Sequence, residues 1–333
     1  MPICHIACLD AVDFCVLTNM AAMCRRLGFQ VTWSKTVEPC SLLVVMRGER
    51  FSQNDIGCLP EGTPAVVFGY VGKSCEEILH SLRDRAGKIL FLPTSQKLVP
   101  QDIAGINVHV APPPVYPELW KKELKAGKYP YTYLGNRKNL GDDPWQKRLE
   151  GWIKGGDVEV WGRWWNGHCP VVKQHGPVTI FTVPEIYRST IYSLGLMYPF
   201  QRDTGMFSGR YWLAPLCGAH VLVECENYCE APGIVLYQGD VLPDALDDLD
   251  ARRALQGEAV SFWRQKTAAL ERVIQDWLKN LDGKLDLSRR PRRAVGLKGD
   301  LVTMGLKASS IIESIALSRG KDLSPLTKLG FWK

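Results

Sequence analysis

Residues 178–224 read VTIFTVPEIYRSTIYSLGLMYPFQRDTGMFSGRYWLAPLCGAHVLVE, and the order of elements coded there decides the fold. A β-branched, apolar run (Val178, Ile180, Phe181, Val183) ends at Pro184, and the apolar spacing from Ile186 to Leu196 predicts a helix. A short strand is expected at Leu194–Tyr198, followed by a polar loop with Arg202, Asp203, Gly205 and Gly209. That loop opens onto Arg210 and a short helix closed by Gly218, because the left-handed position after a helix favours glycine. Ala219–Glu224 then reads as a buried strand. Strand, helix, strand, Gly-rich loop, helix, strand is the alternation of a doubly wound sheet, whose loops at this point take phosphorylated ligands. Arg210, at the helix start, is placed to neutralise a diphosphate.

Toward the N-terminus the same alternation recurs. Residues 3–9 read as a buried strand, and 15–27 as a helix with Val16, Leu17, Met20, Met23, Cys24 and Leu27 on one face, capped by Gly28. Strands are expected at Phe29–Trp33, Leu42–Met46, Pro64–Phe68, Lys88–Leu92 and Val108–Val110, with an amphipathic helix at Cys75–Ala86. Short strand–helix–strand units imply parallel pairing with right-handed crossovers. No Gly-x-Gly-x-x-Gly follows the first strand, which argues against a dinucleotide site there. From Pro112 to Pro130 the composition shifts to prolines and lysines, as an interdomain linker would. A second α/β unit starts with a strand at Tyr131–Leu134, the loop Gly135–Gly141 with Arg137 and Lys138, a helix from Pro144 to Ile153 and a strand at Val158–Trp161. Glu258–Leu281 reads as a long helix that packs on the body. The expected division is 1–127, 128–282 and an extension, 283–333.

The chain has 333 residues, 46% of them apolar, enough for two cores, and no stretch of about 18 consecutive apolar residues to span a membrane. The first residues carry no basic region, and Asp10 and Asp13 interrupt their apolar segment, against a secretory signal. Eleven cysteines without a Cys-x-x-Cys pair fit free thiols in a reducing cytoplasm, and Cys225 with Cys229 lacks the further ligands of a metal site. His168 and His175, near Trp164 and Trp165, likewise lack a third ligand, so no metal site is expected. Charge is uneven: residues 284–333 hold eleven Lys/Arg against four Asp/Glu, a balance of +7, so the preceding 283 residues carry −1 of the total +6. Arg289, Arg290, Arg292 and Arg293 form the densest basic run. A basic extension on a near-neutral body suggests a polyanionic partner, nucleic acid first and an anionic membrane surface second, or else a solubilising tail.

Two α/β halves with phosphate-binding loops concentrated in the second resemble a GT-B glycosyltransferase, built from two Rossmann-like doubly wound domains facing across a cleft. More narrowly, the chain resembles the phage DNA β-glucosyltransferases, which glucosylate 5-hydroxymethylcytosine in duplex DNA. Tyr133-Leu134-Gly135-Asn136-Arg137 is similar to the family's Tyr-Gly-Gly-Ser-Phe-Arg loop, which contributes an arginine to the nucleotide sugar. Val158-Glu159-Val160-Trp161-Gly162 is similar to its next strand, which ends in Phe-Phe-Gly. Arg210-Tyr211-Trp212 keeps the register of its Arg-Val-Trp-Glu segment, whose arginine grips the diphosphate. The resemblance covers about 131–281, and the N-terminal half only by topology.

The resemblance implies a nucleoside-diphosphate sugar as donor, a UDP-sugar by expectation, held by Gly135, Arg137, Gly209 and Arg210 with its base near Pro184 and Tyr187. It implies duplex DNA as acceptor, with Arg289–Arg293 as the DNA contact, in a monomeric protein of the cytoplasm, the host's if phage-encoded. Two departures stand out. Leu213 occupies the position of the glutamate that holds the ribose hydroxyls in that family, and Ser95 falls near that of its catalytic aspartate. Asp10 and Asp13, after the first strand, are the replacement candidates for the base. Two alternatives remain open at this level: a glycosyltransferase of glycans or small molecules, and a nucleotide- or nucleic-acid-binding relative without catalysis.

Overall fold

The structure, a computed structural model, describes residues 2–8, 14–34, 36–46, 61–69, 75–85, 88–103, 105–135, 143–162, 173–176, 178, 182–197, 199–205, 208–226 and 230–281. These form two compact units. The first comprises the chain up to Tyr116, 203–205 and 264–281; the second comprises 117–202 and 208–263.

In the first unit, β1 (Ile3–Ala7), β2 (Gln30–Ser34), β3 (Leu42–Met46), β4 (Ala65–Gly69), β5 (Ile89–Pro93) and β6 (Asn107–Val108) form one parallel sheet in the order β2-β1-β3-β4-β5-β6. β3, β4 and β5 are buried at every position, the mark of a parallel strand covered on both faces. Alternate residues Leu43, Val45, Ala65, Val67, Ile89 and Phe91 form one core with Ile78, Leu79 and Leu82 of α2 (Glu76–Arg85). α1 (Phe14–Arg26) buries Leu17, Met20, Met23 and Cys24, and the chain turns out of it at Gly28, whose φ of 96° favours a residue without a Cβ.

The second unit opens with α3 (Pro117–Trp120), inside the stretch read from composition as linker. Its parallel sheet contains β7 (Tyr129–Leu134), β8 (Val158–Trp161), β9 (Thr190–Leu194), β10 (His220–Val223) and β11 (Ile234–Leu236), in the order β11-β10-β9-β7-β8. α4 (Pro144–Lys154) starts on Asp143, whose Oδ1 accepts the Gln146 N–H at 3.0 Å, with Pro144 in its first turn. Its Trp145, Leu149, Trp152 and Ile153 pack on Tyr131, Tyr133, Val158, Val160 and Leu194 of three neighbouring strands and on Leu196 just past β9.

The decisive stretch departs from its expected layout in three places. The helix expected over 186–196 is instead α5 (Val183–Tyr187), followed by β9. The apolar residues there satisfy both periods, and the β-branched Thr190 and Ile191 settle it in the sheet centre. Val183, expected in a strand, begins α5, and the strand expected at Leu194–Tyr198 lies four residues earlier. The polar loop after it is partly helical, α6 (Pro199–Thr204). α7 (Arg210–Leu213) starts at Arg210 as expected, continues as a 3-10 turn over Pro215–Cys217, and ends at Gly218 with φ 73°.

α8 (Leu249–Lys279) starts nine residues before the expected Glu258. Gly257 lies inside the helix with its Cβ position facing open space, and Asp248 caps the start through the N–H groups of Asp250 and Ala251. Early in α8 the buried Arg252 donates to the carbonyls of Gly218 (2.9 Å), Lys125 (3.1 Å) and Arg188 (2.9 Å) and to Asp247 (2.8 Å), tying four segments together. No helix among the described residues is long and apolar enough to cross a membrane.

Candidate functional site

In the second sheet β7 leads to β8 on one side, whereas β9 and β10 extend it on the other. The chain order therefore reverses between β7 and β9, and the carboxyl ends of those two strands form the crevice where open α/β sheets bind ligands. Hydrogen bonding at the strand ends follows this divergence. The Gly135 N–H goes outward to the Trp161 carbonyl (2.8 Å), and the Gly195 N–H goes to the Leu222 carbonyl (2.9 Å).

Arg210, from α7, reaches this point. Its Nη2 donates to the Leu134 carbonyl at 2.7 Å and its Nη1 to the Leu196 carbonyl at 3.4 Å, one acceptor at the end of β7 and one just past β9. The guanidinium carbon lies 5.1 Å from the centre of the Tyr133 ring, which adds cation–π attraction from below. The Tyr187 hydroxyl also pairs with it; burial pushes that phenol above its ordinary range while the Arg210 charge pulls the other way. Arg210 nevertheless stays partly exposed. Gly135 is glycine for a local reason: a Cβ there would sit 2.7 Å from Arg210 Nη2 and 3.0 Å from the Tyr133 hydroxyl.

A second charged cluster lies along the same edge. Arg202, on α6, bridges Asp143, the cap of α4, and Glu224, just after β10, the latter at 2.6 Å. Burial pushes the Glu224 carboxyl up to about 7; Arg202 pulls it down, Asp143 pushes it up, and Arg148 pulls it down. Arg148 is itself paired with Asp240 at 2.9 Å. Continuing the register of β9 and β10 places Leu196 beside Glu224.

Of the residues expected at the site, the structure brings together Gly135, Tyr187 and Arg210, and puts Gly209 at the start of α7. Tyr187 is buried beneath the arginine, and Pro184 is buried in the first turn of α5. Leu213 is buried as well, in the core face of α7. Ser95 caps the 3-10 turn Gln96–Leu98 at the carboxyl side of β5. Asp10, Asp13, Arg137, Arg289, Arg290, Arg292 and Arg293 lie outside the described residues. Sequence reasoning missed the Arg202–Glu224–Asp143 cluster. Its only sequence signal was a carboxylate directly following a buried strand.

No protein-family model matches this sequence, and no curated protein matches it. Solved structures do. AviGT4, a glycosyltransferase involved in avilamycin A biosynthesis, aligns over 85% of this chain and 99% of its own with 14% identity and a TM-score of 0.58. Anabaena Alr3699/HepE, solved in complex with UDP and glucose, aligns over 84% of this chain and 100% of its own with 10% identity and a TM-score of 0.51. T4 phage BGT, solved in complex with UDP and manganese, aligns over 84% and 99% with 13% identity and a TM-score of 0.47. The two parallel, Rossmann-like units thus constitute the GT-B glycosyltransferase fold.

Proposed function

We propose that this protein transfers a glycosyl group from a nucleoside-diphosphate sugar, with a UDP-sugar as donor and the diphosphate held against Arg210. The observation that carries the reading is the placing of a partly exposed guanidinium at the strand-order reversal of the second sheet, above a glycine whose missing Cβ makes room for it. Departure of a nucleoside diphosphate develops negative charge, and a cation already fixed by two carbonyls stabilises that charge without reorganising. Arg137 supplies a second cation, and Gly135 and Gly209 allow close approach of the phosphates. The base sits near α5, with Pro184 and Tyr187.

The acceptor is a hydroxymethylated base in duplex DNA, a reading supported by the sequence resemblance and by the +7 balance of residues 284–333. Arg289, Arg290, Arg292 and Arg293 would then contact phosphates, making binding salt-dependent. A carboxylate of segment 1–127, Asp10 or Asp13, deprotonates the acceptor hydroxyl. Both follow the carboxyl end of β1, where the order of the first sheet also reverses. A second reading, transfer to a glycan or small molecule, is favoured by AviGT4, whose role is in antibiotic biosynthesis. Incubation with a panel of labelled nucleotide sugars and hydroxymethylated duplex DNA, followed by mass analysis of the nucleosides, tests the first reading. Glycosylated nucleoside supports it; donor hydrolysis or transfer only to added glycans supports the second. Turnover on duplex DNA that is unchanged after deletion of residues 284–333 removes the tail as the DNA contact.

A further inference from the structure

The carboxyl edge of the second sheet contains a polar atom whose hydrogen-bonding capacity is unused. Glu224 holds Arg202 through Oε2 at 2.6 Å, while its Oε1 is buried and has no hydrogen-bond partner among the described residues. A buried acceptor left unpaired costs free energy, and such an atom at a binding edge is satisfied by what binds there. The register places it one strand beyond Leu196, whose carbonyl Arg210 holds, so it lies within one nucleotide sugar's reach of the proposed diphosphate position.

A carboxylate is acceptor-only when ionised, and it repels phosphate oxygens, which cannot donate. The hydroxyls of a sugar ring can donate. We propose that Glu224 is a substrate-binding residue of the nucleotide-sugar site, its Oε1 accepting a hydrogen bond from a hydroxyl of a sugar ring of the donor. The inference rests on the glycosyltransferase reading above. The ring is either the nucleoside ribose or the transferred sugar, and the experiment separates them.

The groups facing Glu224 are Arg202 on α6 and Asp143 and Arg148 on α4. Burial holds the free carboxyl near 7, so about a tenth is ionised at pH 6. Because the ionised form accepts the bond, UDP-glucose, whose diphosphate does not titrate in this range, binds about tenfold more weakly at pH 6 than on the plateau above pH 8. Glu224→Gln does not titrate and loses that dependence.

Calorimetry on the full chain and on Glu224→Gln, with UDP-glucose, UDP and 2′,3′-dideoxy-UDP, tests this. A loss of about tenfold at pH 8 for UDP but not for dideoxy-UDP assigns the contact to ribose; a loss confined to UDP-glucose assigns it to the transferred sugar. Two buffers of different ionisation enthalpy report the proton released when the wild type binds at pH 6.5, a signal that a purely structural glutamate does not give. Wild-type affinity and pH profile in Glu224→Gln, or an equal loss with all three ligands, overturns the proposal. Failure of the wild type to bind any of the three removes the glycosyltransferase reading itself, and this proposal with it.

Discussion

Gly135→Ala is the most discriminating perturbation of the proposed site, because it moves Arg210 without touching its charge. The new Cβ sits 2.7 Å from Arg210 Nη2, whereas ordinary contact begins near 3.4 Å, so the guanidinium must retreat by about 0.7 Å. Its 2.7 Å bond to the Leu134 carbonyl is lost or badly stretched by that movement. The displaced guanidinium also loses its charge-assisted hydrogen bond to the proposed diphosphate, worth about 1.5–3 kcal/mol, which sets the expected loss of UDP affinity at about 10- to 100-fold. Gly135 is not among the glycines of positive φ, so alanine fits the backbone, and the lost Arg210–Leu134 bond sets the drop in folding stability at about 1.5–3 kcal/mol. The double mutant with Arg210→Ala should bind no worse than Arg210→Ala alone, because both changes remove one contact. Calorimetry with UDP reads the affinities, and thermal unfolding checks the fold. Gly135→Ala binding within twofold of wild type, or a double mutant in which the losses add, would refute the reasoning.

Three further outcomes follow from the packing of the second unit. Gly218→Ala places a Cβ 2.8 Å from Leu124 Cδ2 at a φ of 73°, and should lower unfolding free energy by about 1–3 kcal/mol in denaturant titration. Arg252→Met leaves Asp247 without its buried partner and removes the donor from three carbonyls; the expected loss is about 3–5 kcal/mol, read from the same titration. Glu224, raised from 4.5 to about 7 in the folded chain, binds a proton more tightly folded than unfolded. Its contribution therefore makes stability fall as pH rises from about 4.5 to about 7 and level off above, and Glu224→Gln should abolish that component of the pH dependence of thermal unfolding.

The first sheet was legible because its signals do not compete. Leu42–Met46 is a short, wholly apolar run between polar turns, long enough for a buried strand and too short for a helix, and β3 occupies those residues. Ile186–Leu196 was misread because periodicity in so short an apolar run fits both states, and the deciding contacts come from Tyr129–Leu134 and His220–Val223, far away in sequence. Arg210 was legible as a cation at the start of a helix. The Glu224–Arg202–Asp143 cluster was not, since three charged residues 22 to 81 positions apart meet only once β10, α6 and α4 are assembled.

The reversal of strand order also explains why the site needs an arginine from a third segment. β7 sends its terminal N–H outward to β8 and β9 sends its own outward to β10, so neither strand end pairs with the other beyond Thr132 and Ser193. Two carbonyls, those of Leu134 and Leu196, then face the divergence, and Arg210 donates to both. A planar fork with several donors spans the pair, whereas a lysine ammonium is a point that favours one. The same divergence that opens a crevice for a ligand thus supplies the acceptors that fix the cation within it. Arg210 is held by the fold itself, and that fixed geometry makes Gly135, rather than any charged residue, the position at which the proposed site is most narrowly constrained.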